Sequence, residues 1–289
     1  MAMDELSVVL KARELINKVG PIAIPVPIKP YAEQVGAVLH VDHDLAADEA
    51  GYAFEKNGKH HICINGKDSE ERQRFTACHE VAHIALGLPS DHAGLPWWSY
   101  AKRSPNEIAC DVFAAELLLP YKLFKPLVDK SDISLATVDG LAKDFVASTM
   151  ATGSRFATLV GAPCAFVLSE QGKVRYASRS RALREANAWV QPRLALPKGS
   201  VSERLRAGGT CDGPEEIDAD IWFSNWDRGG VLLENARHLA QWDQTVALIW
   251  FEDEEVPAPQ KDQHKREQEE SGLAELDGVL PWPGRKRRK

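Results

Sequence analysis

The five residues His79-Glu-Val-Ala-His83 are the feature that most limits what this chain can fold into. Apolar residues at helical spacing predict a helix over residues 69–87, ended by Gly87. Residues four apart share one face of a helix, so both imidazoles can point at one metal ion. The fold must therefore leave room for an ion on this face and bring a further ligand up to it.

Histidine and glutamate at this spacing indicate zinc chemistry. Neutral imidazole nitrogen binds zinc at about 2.0–2.1 Å, and zinc lowers the pKa of a bound water to about 7. Glu80 follows His79 directly and leans beside the metal, where its carboxylate can take a proton from that water. The motif also arises by chance in helices, so the rest of the site has to support it.

A catalytic zinc site normally has three protein ligands plus water. The next predicted helix, over residues 105–119, carries Glu107 and Asp111 four residues apart and therefore on one face. One carboxylate can complete the zinc site, and the other can accept a hydrogen bond from a ligating histidine. Glu116 lies nine residues after Glu107, on the opposite side of the helix, and we expect it to be structural.

The loop between these helices, residues 88–104, holds candidates that the sequence does not rank. Tyr100 and His92 are both candidates for stabilising the oxyanion of a tetrahedral intermediate. Trp97, Trp98 and Tyr100 form either a substrate-covering loop or a local hydrophobic plug.

The N-terminal part of the chain predicts two helices and a hairpin. Helical spacing of apolar residues predicts a helix over residues 4–18 and a second, short one over residues 31–39. Asn57-Gly58 between two alternating runs predicts a β-hairpin over residues 51–65. Its second strand, residues 60–65, is either an edge strand that pairs with an extended peptide or an ordinary hairpin strand packed on the helix.

The C-terminal half has a different pattern. Short helices are predicted up to residue 160, and strands become frequent beyond it. We expect strands over residues 165–168, 174–177, 219–223 and 245–251, and a helix over about 230–240. From residue 256 the chain is rich in charge and ends in Arg285-Lys-Arg-Arg-Lys289, which predicts a disordered tail.

Composition excludes several classes of protein. The five scattered cysteines include no CxxC pair, which argues against a disulfide framework and a cysteine-rich zinc site. A net charge of −7 gives no electrostatic case for nucleic-acid binding by the whole chain. No apolar run reaches the roughly 20 residues of a membrane span, and the N-terminus lacks the apolar core of a signal peptide. We therefore expect a cytoplasmic protein without membrane contact.

Three segments together resemble the ImmA/IrrE family of bacterial metallopeptidases. They are Ile64-Asn65, then Arg72-Gln-Arg-Phe75 leading into His79-Glu-Val-Ala-His83, then Glu107-x-x-x-Asp111-x-Phe113-Ala-Ala-Glu-Leu-Leu-Leu-Pro120. The resemblance covers roughly residues 5–160. It implies that His79, His83 and Glu107 are the zinc ligands and that Glu80 is the catalytic acid and base. Cys110-Asp111 stands where the family often has Ala-Asn.

The resemblance also implies a fold, which we expect to be α+β with a zincin-like helical peptidase core and a small β-hairpin or sheet. Residues 133–156 are similar to the helix-turn-helix-like unit of this family, and the region after residue 160 is similar to a GAF-like α/β domain. The expected divisions are a peptidase domain over 1–125, a helix-turn-helix-like unit over 126–160, a GAF-like domain over 161–255 and a tail over 256–289.

The function implied by the resemblance is that of a zinc-dependent endopeptidase with a protein substrate. In the family the typical target is a helix-turn-helix repressor of the Xre type, whose cleavage turns on stress or mobile-element genes. DNA binding is not expected, because the second helix of the helix-turn-helix-like unit has one arginine, Arg155. The alternatives are a DNA-binding regulator with structural zinc and a protein-interaction module without proteolysis. The ion expected is Zn²⁺, although manganese or iron also fits two histidines and a carboxylate.

Overall fold

The computed structural model of the chain describes residues 4–46, 48–89, 104–226 and 229–252. The fold is α+β, as predicted, with helices and two separate β-sheets. It divides into two compact units, Met1–Arg155 and Phe156–Lys289. The four divisions expected from the sequence stay a prediction, and the tail over residues 256–289 lies outside the described residues.

The described elements up to residue 159 are mostly helical and include one sheet. In chain order they are α1 (Glu5–Val19), α2 (Lys29–Gln34), β1 (Ala37–Asp42), β2 (Gly51–Lys56), β3 (Lys59–Asn65), α3 (Glu70–Leu86), α4 (Pro105–Leu118), α5 (Tyr121–Val128), α6 (Leu135–Phe145) and α7 (Thr149–Leu159). Helix α3 packs against α4, β2 and β3, and α1 packs against α4.

The two helices that carry the predicted site begin and end where the sequence indicates. Ser69 caps α3 by accepting the N–H of Arg72, and Gly87 ends it with a φ of 65° that glycine adopts without strain. Ser104 caps α4 in the same way, and Pro105 is its first residue. The motif therefore lies inside a helix that is fixed at both ends.

The first sheet confirms the hairpin, corrects one other prediction and decides between two alternatives for β3. Asn57 and Gly58 have φ of 54° and 72°, as a type I′ turn requires. The predicted helix over residues 31–39 is wrong beyond Gln34, because Ala37–Asp42 pairs with β3 as a parallel strand. The strand order is β1-β3-β2, so both sides of β3 are already paired. Of the two alternatives for this strand, the structure therefore has the hairpin strand packed on the helix and not the edge strand.

The second unit is built on a five-stranded antiparallel sheet. In chain order its described elements are β4 (Cys164–Glu170), β5 (Lys173–Arg179), α8 (Arg181–Glu185), α9 (Val201–Arg206), β6 (Glu215–Asp218), α10 (Ala219–Trp222), β7 (Val231–Leu239) and β8 (Gln244–Trp250). The strands lie in the order β5-β4-β8-β7-β6. A cluster of buried apolar residues, among them Val167, Trp222 and Ile249, forms its core.

Two predicted elements in this unit are wrong. Residues 219–222 form the short helix α10 instead of a strand, and Val231–Leu239 is the strand β7 instead of a helix. Strand β7 pairs with β6 on one side and β8 on the other, so strand pairing overrides its helix-forming residues.

None of the helices in the described part of the chain has the length and apolar character that a membrane span requires.

Candidate metal centre

Helices α3 and α4 bury the residues predicted from the motif. His79, Glu80 and His83 are at most 6% exposed, although all three are polar. Glu107 lies in the first turn of α4 and is also buried. Buried ionisable groups are retained only when other groups or an ion compensate for the loss of hydration, so this cluster requires a physical explanation.

Three side chains converge at this point through their metal-binding atoms. His79 Nε2 lies 3.0 Å from Glu107 Oε2, and His83 Nε2 lies 3.4 Å from Glu107 Oε1. The two Nε2 atoms are 3.1 Å apart. Ligand atoms about 2.1 Å from a tetrahedral ion stand roughly 3.4 Å from one another. The three donors are thus arranged closely enough to share one ion.

Within residues 4–46, 48–89, 104–226 and 229–252, no other three histidine, cysteine or carboxylate side chains bring their ligand atoms within 4.8 Å of one another. The donor set is two imidazoles and a carboxylate, which suits zinc and leaves a fourth position for water. The structure brings together the residues predicted as ligands, and their role as ligands stays a prediction.

The outer nitrogens of both histidines also have partners. With its proton on Nδ1, His79 donates to Asp111 Oδ1 over 3.0 Å. His83 Nδ1 donates in the same way to the carbonyl of Leu88 over 3.2 Å. Such contacts fix the tautomer and aim the Nε2 lone pairs at the shared point. Asp111 was expected in this role, whereas the Leu88 carbonyl was not, because a backbone acceptor has no sequence signal.

Glu116 lies apart from the metal-binding group, as its position on α4 predicts. Its carboxylate accepts hydrogen bonds from Arg13 Nε, over 2.9 Å, and from Arg155 Nη2. It also accepts the backbone N–H of Tyr121 at the start of α5. Glu116 therefore joins α4 to α1 and α7 and is satisfied without a metal ion.

The two cysteines near the site are buried thiols. Burial raises the pKa of Cys78 to about 12. Burial is also the main cause of the raised pKa of Cys110, with Glu107 and Glu80 adding negative charge nearby. Since the thiolate is the form that binds metals, neither cysteine competes with the histidines at neutral pH.

The candidates for oxyanion stabilisation, Tyr100 and His92, lie outside the described residues. The same holds for Trp97 and Trp98, which were expected to form either a covering loop or a hydrophobic plug.

A comparison with known protein families identifies the domain that contains these two helices. Residues 32–157 match the family model described as Peptidase_M78: IrrE N-terminal-like domain. These residues form a Peptidase_M78 domain. The match confirms the ImmA/IrrE resemblance and indicates a peptidase. It includes both helices of the metal centre.

A solved structure described as a Mycobacterium tuberculosis transcriptional regulator has a similar fold. Its TM-score is 0.57 at 13% sequence identity, and the similarity covers 84% of this chain and 76% of that one. At this identity the comparison shows the fold of this chain and nothing about its activity. A comparison with curated protein sequences found no match.

Proposed function

We propose that this Peptidase_M78 protein is a zinc-dependent endopeptidase with a regulatory protein substrate. The observation that carries the proposal is the convergence of His79 Nε2, His83 Nε2 and a Glu107 oxygen, beside the buried Glu80. A structural metal site needs ligands, whereas Glu80 adds a general base that only catalysis requires. The match to a peptidase family also supports a catalytic role.

The chain's own residues account for the proton transfers of peptide hydrolysis. A zinc ion, when bound by the two histidines and Glu107, would act as a Lewis acid toward water and the scissile carbonyl. Glu80 takes the proton of the attacking water on its carboxylate and then gives it to the departing amine. Asp111 and the Leu88 carbonyl hold the two imidazoles in the tautomer that this arrangement needs.

The proposed substrate is a helix-turn-helix repressor of the Xre type, the target class that the family resemblance implies, with a role in a stress response. Recognition is assigned to surfaces outside the metal centre, including the helix-turn-helix-like unit and the second unit. The antiparallel sheet with helices packed on it supports the GAF-like description of that second unit, and the packing of α3 and α4 supports the zincin-like description of the core.

The geometry of α7 argues against the DNA-binding alternative. Arg155 is the only arginine on this helix, and it is buried against Glu116. A buried guanidinium paired with a carboxylate does not contact DNA phosphates. Helix α7 therefore lacks the cation that a recognition helix uses to bind the backbone.

The test is a comparison of the wild-type protein with Glu80→Gln on purified Xre-type repressors. Glu80→Gln should keep its zinc, because Glu80 is not a proposed ligand, and lose about 10²–10⁴-fold in cleavage rate. Glu70→Gln, at the exposed start of the same helix, is the matched control and should cleave at the wild-type rate. Cleavage is followed by gel and mass spectrometry, and zinc by elemental analysis.

Two outcomes would contradict the proposal. Equal cleavage by wild type and Glu80→Gln would show that Glu80 is not the general base. A wild-type protein that holds zinc, cleaves no repressor and binds DNA tightly would instead support the DNA-binding alternative.

A further inference from the structure

A cavity of about 330 Å³ lies in the first unit, beside the carboxylate of Glu116. Its lining residues come from two stretches of the chain: 13–22, at the end of α1 and just beyond it, and 116–122, at the junction of α4 and α5. Small-molecule sites in proteins occupy roughly 300–1,000 Å³, so this volume is enough for a small organic ligand. None of its lining residues belongs to the candidate metal centre, which makes it a separate site.

The side chains of this cavity have more hydrogen-bond donors than the structure provides acceptors for. Arg13 uses Nε to bind Glu116 over 2.9 Å, and its Nη2 is buried without an acceptor in the described part of the chain. Lys122 donates one of its three N–H groups to Asn17 Oδ1 over 3.1 Å. The amide nitrogen of Asn17 adds two more donors. A buried donor without an acceptor costs free energy, which a ligand that brings acceptor oxygens would recover.

Helix α5 begins at the same cavity. Pro120 and Tyr121, which line it, are the cap and the first residue of this helix, and no side chain caps it. Glu116 accepts the backbone N–H of Tyr121, whereas none of the described residues accepts the backbone N–H of Lys122. Free N–H groups in a first turn, together with the helix dipole, favour a negative charge at this end.

The charges around the cavity also favour an anion. Glu116 is the one carboxylate among the lining residues, and two guanidinium groups, those of Arg13 and Arg155, already contact it. Lys122 adds a further positive charge, and its contact is with a neutral amide. The ring of Tyr121 lies 4.8 Å from the Arg13 guanidinium and helps to fix its position. Ordered cations with unused donors are the groups that bind carboxylate and phosphate oxygens most strongly.

The remaining lining residues are mostly apolar. They are Ile16, Pro21, Ile22 and Pro120. A bare inorganic ion gains nothing from these side chains. An apolar group attached to the anion would be removed from water by them, which is favourable. The cavity therefore suits an anion that carries a small apolar body.

We propose that this cavity binds a small organic anion. Its carboxylate or phosphate group contacts Arg13, Asn17 and Lys122, and its apolar body lies against Ile16 and Ile22. This site does not depend on the proposed peptidase activity. Because Arg13 and Asn17 belong to α1 and Lys122 to α5, the bound anion joins these two helices and stabilises the folded first unit.

The experiment is isothermal titration calorimetry of the full chain with three probes: phenyl phosphate, benzoate and inorganic phosphate. Ionic strength is kept constant, because salt screens exposed charges. At least one of the two aromatic anions should bind more tightly than inorganic phosphate, since its ring is buried against the apolar lining. The tighter of the two aromatic anions identifies the charged group that the site prefers.

Two variants of exposed lining residues test the location of the site. Asn17→Asp places a carboxylate against the anion, and Lys122→Gln removes a charged donor, so each should weaken binding about 10- to 100-fold. Circular dichroism checks that both remain folded. Lys18→Gln is the matched control, because Lys18 follows Asn17 on α1, pairs with Glu14 and does not line the cavity. It should bind the anion as the wild type does.

Three outcomes would overturn the proposal. Wild-type affinity in both Asn17→Asp and Lys122→Gln would place any bound anion elsewhere. Equal weakening in Lys18→Gln and Lys122→Gln would mean that the anion responds only to the overall charge of this surface. If neither aromatic anion binds more tightly than inorganic phosphate, the apolar lining has no part in binding and the proposed ligand class is wrong.

Discussion

Asp111 contacts the candidate metal centre through a hydrogen bond to His79, and the effect of that bond can be tested. It accepts from His79 Nδ1 and so turns Nε2 toward Glu107 and His83. Asp111→Ala should weaken zinc binding about 10–100-fold, because the imidazole loses its fixed tautomer and part of its basicity. Competition with a zinc chelator at constant pH measures this change.

Asp129→Ala is the control for the loss of charge. It removes an exposed carboxylate at the end of α5 and should leave zinc affinity unaltered. Wild-type affinity in Asp111→Ala would mean that the contact with His79 has no part in binding the ion.

At the scale of residues, the sequence predicts what helical periodicity determines. The i, i+4 spacing places His79 with His83, and Glu107 with Asp111, on shared faces, and the structure brings these faces together. Partners that depend on tertiary packing were missed. Arg13 and Arg155 are 103 and 39 residues from Glu116 in the chain, and no local pattern indicates that either contacts it.

At the scale of elements, strong local signals were predictive and weak ones were not. The Asn57-Gly58 turn and the caps at Ser69 and Gly87 are local chemistry, so the hairpin and α3 have the expected bounds. Gly36 has a φ of 73°, which a helix does not contain, and the prediction of a helix over residues 31–39 did not take this glycine into account. Strand β7 gave no such signal, because its state is decided by pairing with β6 and β8.

Glu234 holds strand β7 to helix α9 and supplies a prediction at this scale. Its buried carboxylate accepts the N–H groups of Val201 and Ser202, the Ser202 hydroxyl and the indole N–H of Trp222. Glu234→Gln places an amide nitrogen against donors in either orientation of the amide, so at least one N–H donor loses its acceptor. The free energy of unfolding should fall by about 1–3 kcal/mol.

Urea unfolding of the full chain, followed by tryptophan fluorescence, checks this value. Glu216→Gln removes an exposed carboxylate from the adjacent strand β6 and should change stability by less than about 0.5 kcal/mol. Equal stability of the two variants would show that the four contacts to Glu234 contribute nothing to holding β7 and α9 together.

At the scale of the whole molecule, the metal centre belongs to one unit. His79, Glu80, His83, Glu107 and Asp111 all lie within Met1–Arg155, and so do the contacts described for them. The second unit has its own sheet and its own buried cluster. Two cores of this kind predict that the first unit can fold and bind metal without the second.

A fragment of residues 1–160 tests this division. It keeps α7 complete, and with it Arg155, whose guanidinium is the buried partner of Glu116. The fragment should be helical by circular dichroism and bind one zinc ion with the affinity of the full chain. Arg155→Met in the same fragment leaves the Glu116 carboxylate with Arg13 and the backbone N–H of Tyr121, and should lower the free energy of unfolding by about 1 to 3 kcal/mol. An unfolded fragment, or a folded one that binds no zinc, would show that the peptidase unit depends on the rest of the chain for its metal centre.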